Sequence, residues 1–176
     1  MSEIESLIQW IVDLVSANLY PGVFLAALIE TVFPPIPSEV VFPLAGYVVL
    51  NNEMSVIHVF GVGIAGGCGA TLGAIIIYFI ALKIGRERLA KYMMKYARIN
   101  EQKLAKADRW FEKYGDKSVL LGRMVPGIRE LVSIPAGIFR MKRRKFLIYT
   151  FIGSCSWSML LTWIGYYLGV ASIKIF

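Results

Sequence analysis

The chain has 176 residues, a net charge of +7 and a composition that is 57% hydrophobic and only 18% charged. Soluble domains carry about 25% charged residues, so this composition excludes an ordinary soluble domain and indicates one integral membrane domain. Its single histidine and two widely spaced cysteines argue against a zinc site or a disulfide framework, and we expect no metal and no cofactor.

The chain begins with a predicted interfacial helix at residues 1–18, which has one apolar face and acidic residues where a signal peptide would be basic. Two apolar arms follow, 22–33 and 38–50. At 1.5 Å per residue each arm is about 18–20 Å long, well short of the roughly 30 Å hydrocarbon core. Prolines that include Pro35 and Pro37 break the helix between them. We therefore predict a re-entrant hairpin that opens to the outside, with an ordinary extracellular loop between two short helices as the alternative.

Residues 56–82 form the first predicted membrane crossing, because His58 is their only ionisable residue and they exceed the length that a transmembrane helix needs. The crossing is rich in glycine and contains Gly69 and Gly73, a spacing typical of close helix packing. Residues 85–115 then mix charged and apolar side chains, which predicts amphipathic helices on the membrane surface.

Two clusters of basic residues predict the topology. They occupy residues 83–117 and 140–145, and by the positive-inside rule both are cytoplasmic. Segment 118–139 begins and ends beside these clusters, so it cannot cross the membrane once. We predict that it forms a second re-entrant hairpin, folded at Pro126 and Gly127, which opens to the cytoplasm.

Residues 146–173 carry no charge and form the second predicted crossing. The order is therefore interfacial helix, hairpin and crossing, repeated once in the opposite orientation. This predicts an all-α integral membrane protein with a single domain, 1–176, built as an inverted repeat of residues 1–84 and 85–176, with the two hairpin tips near the middle of the membrane.

Each predicted hairpin carries a pair of ionisable residues at membrane depth: Glu30 and Glu39 in the first, Arg123 and Arg129 in the second. An ionisable side chain there costs roughly 2.5–3.5 kcal/mol, so it faces protein or a water-filled cavity. Arginine grips phosphate or carboxylate in two places, which predicts substrate binding by Arg123 and Arg129. Carboxylates in such surroundings exchange protons near neutrality, which predicts proton coupling by Glu30 and Glu39, with Glu39 the better candidate because it follows the helix break at the prolines. The alternative is that these glutamates and arginines pair only to hold the hairpins together.

Several segments together resemble one family: Glu30 with the following proline-rich turn, Pro37-Ser38-Glu39, the arginine–proline motif at 122–129, and Ala136-Gly137. Over about residues 20–170 the chain resembles the DedA family, also described as SNARE-associated Golgi or VTT-domain proteins.

The resemblance implies a lipid translocase, either a flippase or a scramblase, that moves undecaprenyl phosphate or phosphatidylethanolamine with a proposed dependence on proton motive force. It maps the essential acidic pair of the family to Glu30 and Glu39, and its arginine pair to Arg123 and Arg129. Met124 departs from the family pattern, because that position is often Phe.

We therefore predict a transporter of an anionic membrane lipid in the cell membrane, with protons or another coupling ion as its second partner. The long apolar spans argue against nucleic-acid binding. Two alternatives remain: a small-ion or proton-coupled transporter, and an intramembrane lipid-phosphate phosphatase, for which the sequence offers no nucleophile with a base partner.

Overall fold

The computed structural model describes residues 13–32, 38–96 and 101–175. All regular secondary structure in these ranges is helical, which confirms the predicted all-α class. A short helical stretch at residues 13–17 precedes the main helices, and the rest of the predicted interfacial helix lies outside the described residues. The helices are α1 (Leu19–Val32), α2 (Ser38–Asn51), α3 (Ile57–Tyr96), α4 (Glu101–Tyr114), α5 (Lys117–Gly122), α6 (Ser133–Ile138) and α7 (Arg143–Ile175).

Helices α3 and α7 contain the two predicted crossings. Ile57–Arg88 and Arg143–Gly169 are each long and apolar enough to cross a membrane. The two helices pack against each other over much of their length. Glycine permits this close approach, because a methyl group on Gly67 would lie 3.0 Å from the Cα atom of Cys155.

The shorter helices pack against this central pair in a regular pattern. Of the first two, α1 packs mainly on α3 and α2 mainly on α7. In the second half of the chain α5 packs on α7 and α6 on α3. Thus the first arm of each predicted hairpin contacts the long helix of its own half, and the second arm contacts the long helix of the other half.

The polypeptide between α5 and α6 turns through Pro126 and Gly127. Gly127 has a φ of 75°, in the left-handed region that glycine adopts without steric cost. Helix α6 then lies close to α3, since a methyl group on Gly137 would be 2.7 Å from Ala81 Cβ. The predicted breaks at Pro35 and Pro37, between α1 and α2, lie outside the described residues.

Helix α3 changes direction at Gly85, which has φ 74° and ψ 173°. Beyond this kink Arg86 connects α3 to α4: its Nη2 donates to Glu101 Oε1 and its Nε to Asp108 Oδ2, both at 2.7 Å. Helix α4 lies within the predicted amphipathic segment and has an apolar face that packs against α3 and α6, formed by Leu104, Ala107 and Phe111.

Candidate functional site

A cluster of charged and hydroxyl-bearing side chains is buried where the two halves of the chain meet. Apolar helices surround these side chains, so each charge needs a nearby partner to offset the loss of water. The cluster, called the polar centre below, contains residues that are each at most 8% exposed: Glu30, Ser38, Arg123, Arg129, Ser133, Ser154 and Ser158.

Arg129 joins the two halves at the polar centre. It lies in the turn between α5 and α6, and its Nη2 donates hydrogen bonds to Oε1 of Glu30 and to Oγ of Ser38. The same glutamate oxygen accepts the backbone N–H of Ser38 at 3.2 Å. The guanidinium also lies over the ring of Trp157, 5.3 Å from its centroid. One cation therefore connects α1, α2 and α7.

Arg123, directly after α5, has different partners. It is 4% exposed, and its Nη2 donates to Oγ of Ser133 at 2.7 Å, whereas its Nε has no hydrogen-bond partner. Among the described residues, no carboxylate oxygen lies within 4.0 Å of its guanidinium nitrogens. Gly153 of α7 lets the side chain approach, since a methyl group there would be 2.7 Å from Arg123 Cβ. Arg123 is thus a buried cation with a neutral partner.

A small cavity opens onto both arginines. Its volume is about 10 Å³, close to the smallest that holds one water molecule. Glu130 also lines it, with its Oε1 3.7 Å from Arg129 Nη2 and its side chain 23% exposed. The polar residues that line the cavity are Glu30, Thr31, Arg123, Arg129, Glu130, Ser154 and Ser158.

The structure brings together three of the four ionisable residues predicted to form the site. Glu30, Arg123 and Arg129 all line the cavity, whereas Glu39 is exposed on the first turn of α2. Ser38 and Glu39 are successive helical residues about 100° apart around the axis, so the serine faces Arg129 while the glutamate faces outward. Glu39 therefore lies outside the polar centre, within electrostatic range of Glu30 and Glu130.

Sequence reasoning missed Glu130 and the hydroxyl partners of the arginines. Glu130 directly follows Arg129, and this adjacency was the only signal of its position. Ser38 and Ser133 were visible in the sequence as members of the proline- and glycine-containing turns. Nothing local indicates which hydroxyl meets which arginine, because the Ser38–Arg129 contact joins residues 91 positions apart.

In the part of the chain that the structure describes, no group of three His, Cys, Asp or Glu side chains is placed to hold a metal ion. Within the polar centre Arg129 bonds to Glu30 and Ser38, and Arg123 bonds to Ser133. Two guanidinium groups and two carboxylates share one small enclosed volume.

Two long apolar helices, two further short apolar helices and an enclosed charged centre define a multi-pass helical membrane protein. The chain belongs to the VTT-domain family, which matches residues 36–167, and this confirms the resemblance to DedA proteins. No solved structure matches the chain.

The relatives include two proteins named undecaprenyl phosphate transporter A. The one from Bacillus subtilis is 37% identical over 164 residues, which cover 93% of this chain and 79% of the relative. The one from Staphylococcus aureus is 31% identical over 160 residues, which cover 89% and 77%. A protein of Lactococcus lactis named alkaline phosphatase-like protein is 39% identical over 154 residues, which cover 85% and 71%.

Proposed function

We propose that this protein transports an anionic lipid, such as a polyprenyl phosphate or a phospholipid, across the cell membrane by passing the headgroup through the polar centre. The main support for the proposal is the environment of Arg123. Its buried guanidinium lines the cavity and contacts a hydroxyl, and no carboxylate among the described residues lies within 4.0 Å of it. Such a cation favours the entry of an anion that offers several oxygen atoms. The names of the two undecaprenyl phosphate transporters support a phosphate headgroup.

The pair of Glu30 and Arg129 is the proposed gate. A headgroup that binds Arg129 competes with Glu30, and a proton on Glu30 weakens the pair and frees the guanidinium. Return of the proton to water restores the pair and expels the anion. In this scheme Glu30 carries the coupling proton in place of Glu39, which the sequence favoured but whose side chain is exposed outside the polar centre.

The proposed architecture is the inverted repeat, with residues 1–84 and 85–176 as its halves and with each hairpin re-entrant. The reciprocal packing of α1 and α5 on their own long helices, and of α2 and α6 on the opposite ones, supports it. The proposal also keeps the basic clusters at 83–117 and 140–145 in the cytoplasm.

Reconstitution in liposomes tests the function. Wild-type protein should change the sidedness of a labelled polyprenyl phosphate with its phosphate retained, and Arg123→Gln should reduce this rate at least tenfold, because one charge-assisted contact is lost. Arg144→Gln, an exposed basic position at the start of α7, is the matched control and should transport at the wild-type rate.

Two results would replace the proposal with another function. Release of inorganic phosphate from the lipid would favour a lipid phosphatase, to which the name of the Lactococcus lactis relative points. Movement of ions or protons with no change in lipid sidedness would favour a small-ion transporter. Full lipid transport by Arg123→Gln would remove Arg123 from the mechanism.

A further inference from the structure

Helix α7 carries four buried hydroxyl groups at intervals of four residues. Successive members lie one turn apart and therefore on one face of the helix. Each is at most 4% exposed: Thr150, Ser154, Ser158 and Thr162. By itself such a stripe is ordinary, because serine and threonine in apolar helices often donate to the carbonyl four residues earlier.

Two of these hydroxyls follow that rule, whereas Thr150 and Ser154 do not, and of these two only Ser154 lines the cavity of the polar centre. Ser158 Oγ donates to the carbonyl of Ser154 at 2.8 Å, and Thr162 Oγ1 donates to the carbonyl of Ser158 at 2.7 Å. Ser154 Oγ is buried without any hydrogen-bond partner. Buried polar atoms are nearly always paired, so an unpaired hydroxyl at this depth requires a specific reason.

The surroundings of Ser154 suggest that reason. It lines the same cavity as Arg123, whose Nε is also buried without a partner. The neighbouring Gly153 brings the Arg123 side chain against α7. An O–H and an N–H donor thus border one small cavity, and neither donates to an acceptor of the protein. A ligand that satisfies both donors must supply acceptor lone pairs, which the oxygens of a phosphate group provide together with the negative charge that suits Arg123.

We infer that Ser154 is a headgroup-binding residue, whose hydroxyl donates to a terminal phosphate oxygen of the lipid that Arg123 binds. The inference rests on the proposed function and adds a neutral donor from α7 to the arginine from the second hairpin. Because Ser154 Oγ has no hydrogen-bond partner within the protein, it binds the headgroup without first breaking such a bond.

Calorimetric measurement of farnesyl phosphate binding to the full chain in detergent tests the inference. Farnesol, which lacks the phosphate, is the comparison probe. Ser154→Ala should weaken binding of farnesyl phosphate about tenfold, since a hydrogen bond to a charged group is lost, and should leave binding of farnesol unchanged. Thr162→Val is the matched control, because it removes a buried hydroxyl of the same helix face that is already paired. It should bind both probes as the wild type does.

The thermal midpoint of Ser154→Ala without ligand should equal or exceed that of the wild type, because the hydroxyl has no partner to lose. A second variant, Ser154→Cys, keeps the size but donates weakly and should lose affinity to an intermediate degree. Equal weakening of both probes would assign Ser154 a structural role and overturn the inference.

The inference and the proposed function fail in different ways. If Arg123→Gln loses farnesyl phosphate while Ser154→Ala binds it like the wild type, the inference is wrong and the anion site stands. If Arg123→Gln binds farnesyl phosphate fully, the anion site itself is wrong, and the role of Ser154 is rejected with it.

Discussion

Arg123 and Arg129 are six positions apart and both buried, yet their partners give them different roles. Arg129 is paired with Glu30, bonded to Ser38 and stacked on Trp157. Arg123 has a hydroxyl partner instead of a carboxylate. Removing one member of a buried ion pair is costly because the other charge is left without compensation. Arg129 therefore belongs to the connection between the two halves, and Arg123 has the features of a group that receives an anion.

Substitutions in the buried pair test the connecting role. Glu30→Gln should destabilise the protein by about 3 kcal/mol, the low end of the range for a broken buried ion pair. The loss is limited because Glu130, 3.7 Å from Arg129, still offsets part of its charge. Glu30→Gln combined with Arg129→Gln removes both charges and should recover much of this loss. Thermal unfolding in detergent measures both variants, with the exposed Glu87→Gln as the control. A double variant that is less stable than either single variant would contradict the role of the pair.

Carboxylate substitutions test the proposed proton coupling. Replacement by Gln keeps the size and hydrogen bonding of Glu and removes its titration. Glu30→Gln should still bind lipid but lose the pH dependence of transport, because the proton no longer competes with Arg129 for this side chain. Glu39→Gln should have the milder effect, since that side chain is exposed. Lipid transport in liposomes between pH 6 and 8 measures the pH dependence of each variant. Unchanged pH dependence in the variant that combines Glu30→Gln with Glu39→Gln would leave an uncoupled scramblase as the better description.

Among the helices, α4 is joined to α3 by hydrogen bonds from a side chain at a kink. Gly85 adopts a left-handed φ of 74°, and directly after it Arg86 binds two acidic residues of α4. The apolar face of α4 contacts Leu131 and Ile134 of the second hairpin. The position of α4 is thus coupled to the segment that carries both arginines.

Arg86→Gln should loosen α4 while leaving the long helices intact. The expected result is faster hydrogen exchange in residues 101–114 and little change in residues 57–82. The reason is that the lost hydrogen bonds stabilise the position of α4 and not the packing of the long helices. Arg109→Gln, an exposed position on α4 itself, is the control. Exchange at wild-type rates throughout α4 would mean that its apolar face alone holds it.

The sequence predicted the four apolar helices α1, α2, α3 and α7 well because each has a local signal. Both crossings were placed from length and hydropathy, and arms 22–33 and 38–50 correspond closely to α1 and α2. The side chains that face the polar centre were harder to predict. Whether Ser38 or Glu39 points inward depends on how the chain enters α2, and Glu130 reaches the cavity through a turn without helical periodicity.

At the scale of the whole molecule, the packing pattern explains why both halves of the chain contribute side chains to the polar centre. Each short helix pair contacts both long helices, so neither half encloses the charged residues alone. Glu30 and Ser38 come from the first half, whereas Arg123, Arg129 and Ser154 come from the second. Movement of one half against the other would change the Glu30–Arg129 pair directly, which is what a gate between the two sides of a membrane requires.

This arrangement depends on the second hairpin entering and leaving the membrane on the same side. We expect a cysteine at Asn52 to react with an impermeant probe on intact cells, and cysteines at Lys103 and Arg143 to react only after permeabilisation. The reason is that the basic clusters on both sides of the hairpin hold its two ends in the cytoplasm. The native Cys68 and Cys155 are replaced first by alanine, and that parent protein must remain unlabelled. Labelling of Lys103 and Arg143 from opposite sides would show that the hairpin crosses the membrane, and the inverted repeat would have to be abandoned.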